Sequence, residues 1–196
     1  MKDLRDQNVV RQAKDYSCGA ASLATLLSFG LHDPITEAQV LDELFSHLSK
    51  DDVTVRQKTG FSLLDMQLVA HRRGYKAQAF RLAARDLTRL IGPVIVFFEP
   101  QGYKHFAVLR GIRGDRVFLA DPSRGNVRMP AHQFLQTWLG DDGTGVIFVV
   151  EPQTSAASSD TALSILAGAS PQPEILSARE LLAVGASSFS PLGLTR

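Results

Sequence analysis

From Cys18 to Phe29 the chain reads Cys-Gly-Ala-Ala-Ser-Leu-Ala-Thr-Leu-Leu-Ser-Phe, with small or apolar residues around nearly the whole helical circumference. A helix apolar on all sides is a buried helix, so this stretch predicts one at the centre of the fold, stopped by Gly30. Thr36-Glu-Ala-Gln is a capping-box pattern that opens an amphipathic helix to about Leu48. A third helix is predicted from about Ser62 to Arg73, closed by Gly74.

The pattern changes after Gly74. Lys76 to Arg81, Val94 to Phe98, His105 to Ile112, Arg116 to Ala120 and Gly145 to Val150 are short β-branched or aromatic runs bounded by Gly, Pro or Asp, which predicts strands. Two short helices interrupt them, near Ala84 to Leu90 and Ala131 to Trp138. Helices first and an antiparallel sheet second is the pattern of an α+β domain.

At 196 residues, 44% hydrophobic and 21% charged, the chain suits one domain with a sizeable core. After Glu151-Pro152 the composition shifts to Ser, Ala, Thr and Pro with few charges. Residues 1–151 therefore read as the domain and 152–196 as a mostly disordered tail, with a capped short helix from Ser177 to Val184. A net charge of +1, with scattered basic residues, gives no field that would gather nucleic acid. No apolar run of 18 residues exists to span a bilayer, and the charged start Met-Lys-Asp-Leu-Arg-Asp has no apolar signal region.

Cys18 is the only cysteine, so an internal disulfide is excluded and the thiol needs another explanation. Asp15 and Ser17 are good N-cap residues, which places Cys18 at or near the start of the buried helix. There the unpaired N–H groups and the positive end of the helix dipole point at the sulfur, favouring the thiolate. A small buried core cysteine is the simpler reading of Cys18 taken alone. It gives way because a thiolate nucleophile needs an imidazole and a group orienting that imidazole, and the sequence offers both.

His105 opens one predicted strand and Asp121 closes the next. A hairpin turn centred on Arg113 would make the two direct cross-strand partners, with Ala107 opposite Leu119, Leu109 opposite Val117 and Arg110 against Arg116. Gln12, six positions before Cys18, offers an amide to the oxyanion that forms when a thiolate attacks a carbonyl. The remaining histidines show no such company. His71 reads as a surface residue at a helix C-terminus, and His32, His47 and His132 have no metal-ligand spacing. Asp51-Asp52 and Asp141-Asp142 read as solvated loop charges, and Trp138 as core.

Gln12, five residues, then Cys-Gly at the start of a buried helix, followed by His-Phe-Ala-Val-Leu and Asp-Pro, resembles the papain-like double-glycine leader peptidases, which process bacteriocin precursors at the N-terminus of ABC exporters. The resemblance covers about residues 8–150, including Gly60-Phe-Ser-Leu-Leu, Gly74-Tyr, Pro93-Val-Ile-Val and Phe134 to Gly140. It implies a papain-like fold with Cys18 as nucleophile, His105 as general base and acid, Asp121 orienting His105, and Gln12 in the oxyanion hole. It also implies a polypeptide substrate cut after small residues, a link to a secretion system, and no cofactor.

The chain departs from the exporter group. Ser17 stands where those members usually carry Asp, no transmembrane region or P-loop follows, and the Ser/Ala-rich tail has no counterpart. It is similar instead to standalone members that accompany bacterial functional-amyloid (Fap) secretion, which implies a periplasmic location even though the visible N-terminus on its face favours the cytoplasm. Two other functions share the same residues: a module that binds and escorts a leader without cutting it, and acyl or amide transfer. Retention of Cys18, His105 and Asp121 favours cleavage.

Overall fold

The computed structural model describes residues 2–99, 103–153, 163 and 190–191. Its first half is helical, with α1 at Lys2–Asp6, α2 at Cys18–Thr25, α3 at Glu37–Phe45, α4 at Lys50–Thr59 and α5 at Leu63–Arg72. The second half supplies strands β1 (Tyr75–Ala83), β2 (Val94–Phe98), β3 (His105–Arg113), β4 (Arg116–Asp121), β5 (Gly125–Pro130) and β6 (Thr144–Pro152), with helix α6 at Ala131–Trp138. A two-residue pairing at Ser190–Pro191, β7, completes an antiparallel sheet in the order β5-β4-β3-β2-β6-β1-β7. The expected α+β architecture, helices packed on an antiparallel sheet, is the one observed.

All eight residues of α2 are buried, as its all-round apolar pattern requires. The expected helix continues to Gly30 but widens into a π turn over Leu26–Gly30, where the Leu31 amide donates to the Leu26 carbonyl at 3.1 Å. Both halves of the capping box form at Thr36 with Gln39 and again at Ser62 with Asp65. Helix α3 ends at Phe45 rather than Leu48, the last residues closing in a turn.

Two elements escaped the hydrophobic pattern. Helix α4 buries none of its residues, so it carries no apolar stripe; it is held locally by the Ser49 cap on the Asp52 amide and by charges matched to its dipole. Asp51 and Asp52, expected as loop charges, sit in its first turn. Strand β5 is an edge strand ending at Pro130, and its Asn-Val-Arg-Met run shows little alternation.

The sheet is covered on both faces. Helices α2, α3 and α5 pack on one side against Phe106, Val108, Ala120 and Phe148. On the other, α6 brings Phe134 and Trp138 onto Ala107, Leu109, Leu119 and Ile147. Burial on both faces explains why Val94–Phe98 is continuously apolar instead of alternating. Trp138 is core as expected, stacked on Phe134 at 5.5 Å and donating Nε1–H to the Val146 carbonyl at 2.9 Å.

The β3–β4 register corrects the expected one. Leu109 pairs with Leu119 and Val108 with Ala120, because the hairpin turns tightly at Gly114-Asp115, where Gly114 takes φ +57°, and a bulge intervenes between Leu109 and Gly111. Each residue before the bulge therefore faces a partner two positions later than expected, which preserves the face. Continuing the ladder sets Asp121 opposite Ala107, so it meets His105 diagonally and not directly. Arg110, freed from Arg116, donates to the Asn126 side chain at 2.6 Å and to the Leu163 carbonyl at 2.9 Å.

Leu163 lies inside the span expected as a tail, yet it is fully buried in the helical-side core. The predicted helix Ser177 to Val184 lies outside the described residues.

Candidate active site

Asp121 ends β4 and is fully buried. Its Oδ1 accepts from the Ser123 amide at 2.8 Å, the Ser123 hydroxyl at 2.7 Å and the Arg124 amide at 3.1 Å, while Arg124 Nε reaches Oδ2 at 2.9 Å. This is the local chemistry of an Asx turn, in which Asp caps the chain two and three residues on. Burial opposes the charge, but the bonds from His105 and Ser123 and the Arg124 charge outweigh it and hold the carboxyl well below the usual range.

His105 opens β3 and is also buried. Its Nε2 lies 3.1 Å from Asp121 Oδ1, close enough for an ion pair, although the N–H direction is too far off line for a straight hydrogen bond. The edge of Phe98 meets the imidazole at 5.3 Å between centroids and fixes its tilt. With Nε2 facing Asp121, Nδ1 is the nitrogen left for Cys18, the second group that raises the basicity of the ring. Burial lowers the basicity of His105, but the bonds and charges of Asp121 and Cys18 exceed that cost and raise its pKa to about 9.

Cys18 is the first residue of α2 and is buried. Ser17 occupies the cap position, but its hydroxyl does not cap the helix as expected. It donates to the Glu37 carboxylate instead, with the Lys14 carbonyl 2.8 Å away. Among the described residues no side chain therefore caps the first-turn N–H groups of α2, which lie beside Cys18. Gly19 makes this close placement workable: a Cβ there would press on Met66 Sδ and Phe61 Cβ at 3.3 Å.

Gln12 enters the site from the N-terminal segment, its amide donating to the Pro122 carbonyl at 3.1 Å, next to Asp121. Its Nε2 donates to the Lys14 carbonyl at 2.9 Å, which leaves one side-chain N–H for an oxyanion. All four residues singled out from sequence thus converge on one place. Two neighbours were not foreseen. Glu37, read only as part of a capping box, turns its buried carboxylate back onto the Gln12–Cys18 loop. Tyr103 lies with its ring 6.5 Å from His105 and its hydroxyl on the Asp15 carbonyl at 2.9 Å. The only signal for Tyr103 was its place two residues before His105.

The family model described as Peptidase C39 family matches residues 6–155. The chain belongs to that family. A probable functional amyloid protease, FapD, of Pseudomonas aeruginosa is 35% identical over 150 residues, 76% of this chain and 63% of the relative. Its counterpart in Pseudomonas fluorescens is 33% identical over the same shares. The chain thus spans about 63% of the length of these curated relatives.

Among solved structures, a double-glycine motif protease from an AMS/PCAT transporter, in complex with its leader peptide, superposes with a TM-score of 0.59 at 25% identity, covering 74% of this chain and 91% of its own. The peptidase domain of Streptococcus ComA, a bifunctional ABC transporter of a quorum-sensing pathway, gives the same TM-score at 23% identity, over 74% of this chain and 98% of its own. These likenesses establish the papain-like C39 peptidase fold. No helix among the described residues is long and apolar enough to cross a membrane.

Proposed function

We propose that this C39 family member is an active cysteine endopeptidase that cuts an exported polypeptide after small residues of the Gly-Gly type. The observation that carries the reading is the buried line Cys18, His105, Asp121, with the imidazole held between thiol and carboxylate. In the first step the Cys18 proton passes to His105, Sγ attacks the scissile carbonyl carbon and the carbonyl electrons move onto oxygen, facing Gln12 Nε2 and the first N–H groups of α2. Collapse expels the amine, protonated by His105, and leaves a thioester on Cys18. His105, now neutral, takes a proton from water, whose oxygen attacks the thioester; the acid departs and the thiol is restored. An escort that never cleaves would not need the Cys18 nucleophile, which this chain keeps together with His105 and Asp121.

The likeness to two probable functional amyloid proteases supports an amyloid-system polypeptide as substrate. A quenched fluorescent peptide with Gly-Gly ahead of the scissile bond tests the activity. Wild type is expected to release fluorescence, and Cys18→Ala and His105→Ala to abolish it. Binding of the peptide without cleavage by wild type would instead favour the escort reading.

A further inference from the structure

Glu37 is a buried carboxylate that the reaction scheme leaves unused. It is the first residue of α3, and its oxygens accept the Ala13 amide at 2.9 and 3.1 Å and the Ser17 hydroxyl. Ala13 follows Gln12 and Ser17 precedes Cys18, so one side chain holds both ends of the loop that carries the nucleophile and the oxyanion donor. The network continues inward. Ser17 Oγ, whose one proton goes to Glu37, accepts from the Lys14 amide at 3.2 Å, and the Lys14 carbonyl, 2.8 Å from that oxygen, is the acceptor for Gln12 Nε2 at 2.9 Å. A path of hydrogen bonds therefore runs from Glu37 through Ser17 and Lys14 to the Gln12 amide.

Cys18 is less dependent on this path. It is seated by a fully buried helix packed against Phe61, Met66 and Phe106. Gln12 has no comparable support, since its side chain has a single donor bond and its buried Oε1 has no partner among the described residues. Loss of the Glu37 acceptor would leave the Ala13 amide underbonded in a partly buried loop and turn the Ser17 proton onto the Lys14 carbonyl, in competition with Gln12 Nε2.

We propose that Glu37 is a positioning residue that holds Gln12 in its oxyanion-facing pose through Ser17 and Lys14. The proposal deepens the peptidase reading and rests on the oxyanion role of Gln12 within it. Charge-assisted bonds from a carboxylate suit the task because they are stronger and more directional than neutral ones. Bringing an acceptor from α3 also ties the loop to the rigid helical layer rather than to its own flexible backbone.

The test separates two reactions of the same thiol. Acylation of Cys18 by p-nitrophenyl acetate builds an oxyanion and needs Gln12, whereas alkylation by iodoacetamide needs the activated sulfur but no oxyanion hole. Burst acylation and alkylation rates are measured for wild type, Glu37→Ala, Gln12→Ala and the double variant. Glu37→Ala and Gln12→Ala are each expected to slow acylation about tenfold or more, the range seen when an oxyanion donor is lost, while alkylation stays nearly unchanged. The double variant should acylate no more slowly than the worse single variant, because both act on one element.

Equal losses in both reactions would mean that Glu37 only supports the fold. Multiplying effects in the double variant, or wild-type acylation in either single variant, would also overturn the proposal. If Glu37→Ala does not fold, Glu37→Gln carries the same comparison: it keeps the shape and an acceptor for Ala13, and a smaller acylation-only loss is expected. A wild type that alkylates but never acylates would defeat the peptidase reading itself, an outcome distinct from failure of the Glu37 proposal.

Discussion

Removing Asp121 should change the protonation of His105 before it changes anything else. The imidazole pKa of about 9 lies some 2.5 units above its ordinary 6.5, or about 3 kcal/mol in favour of the imidazolium at 1.36 kcal/mol per unit. Burial works against that figure, so the favourable contacts with Asp121 and Cys18 supply more than the net. An opposite charge at this separation is worth about 1–3 units, and Asp121→Ala should lower the midpoint by that amount. The assay is a two-dimensional NMR titration following the His105 ring Cε1–H resonance from pH 5 to 10.

The same shift sets a stability profile. Because the folded-state value is raised, the contribution is complete below about pH 6.5 and is lost as pH rises through about 9. In a Cys18→Ala background, where the thiol no longer titrates, denaturation should show stability relative to the Cys18→Ala/His105→Ala pair falling across that window by up to about 3 kcal/mol, less the share that Cys18 supplied. Two results would refute the reasoning: a wild-type midpoint at or below 6.5, or a midpoint unmoved by Asp121→Ala.

Two further predictions concern the frame of the site. At Gly145 an added Cβ would fall 2.1 Å from Trp138 Cε2, so Gly145→Ala should cost about 3 kcal/mol or more in chemical denaturation through overpacking; unchanged stability would contradict the Trp138 placement. Leu163 is fully buried, so Leu163→Ala should cost about 2–5 kcal/mol, read as a lowered Tm. A neutral Leu163→Ala would mean that the segment is a passive tail.

The sequence disclosed the elements that bury an apolar face and concealed those that do not. The α2 run, the Thr36 capping box and strand β2 carried strong local signals, and each formed. Helix α4 buries nothing, so no periodicity marked it. The hairpin register was misplaced because the turn falls at Gly114-Asp115 and not at Arg113, while the bulge between Leu109 and Gly111 takes one position of that shift back. The displacement was nonetheless two positions before the bulge, an even number, and His105 and Asp121 stayed on one face within reach. Cys18, His105, Asp121 and Gln12 were legible because their chemistry is scarce and their positions at element ends are marked. Glu37 was not, since its contact with Ser17 depends on how α3 packs beside the loop, a tertiary fact without a local trace.

The most direct test of the central claim is the pH dependence of Cys18 alkylation by iodoacetamide in wild type and His105→Ala. If the thiol and imidazole form a working pair, wild type reacts at pH 6 at least about tenfold faster than His105→Ala, because an ordinary thiol there is almost wholly protonated. The two rates should converge above pH 9, where His105 has lost its proton. Superimposable profiles from pH 6 to 9.5 would contradict the account and leave Cys18 a buried thiol without a catalytic partner.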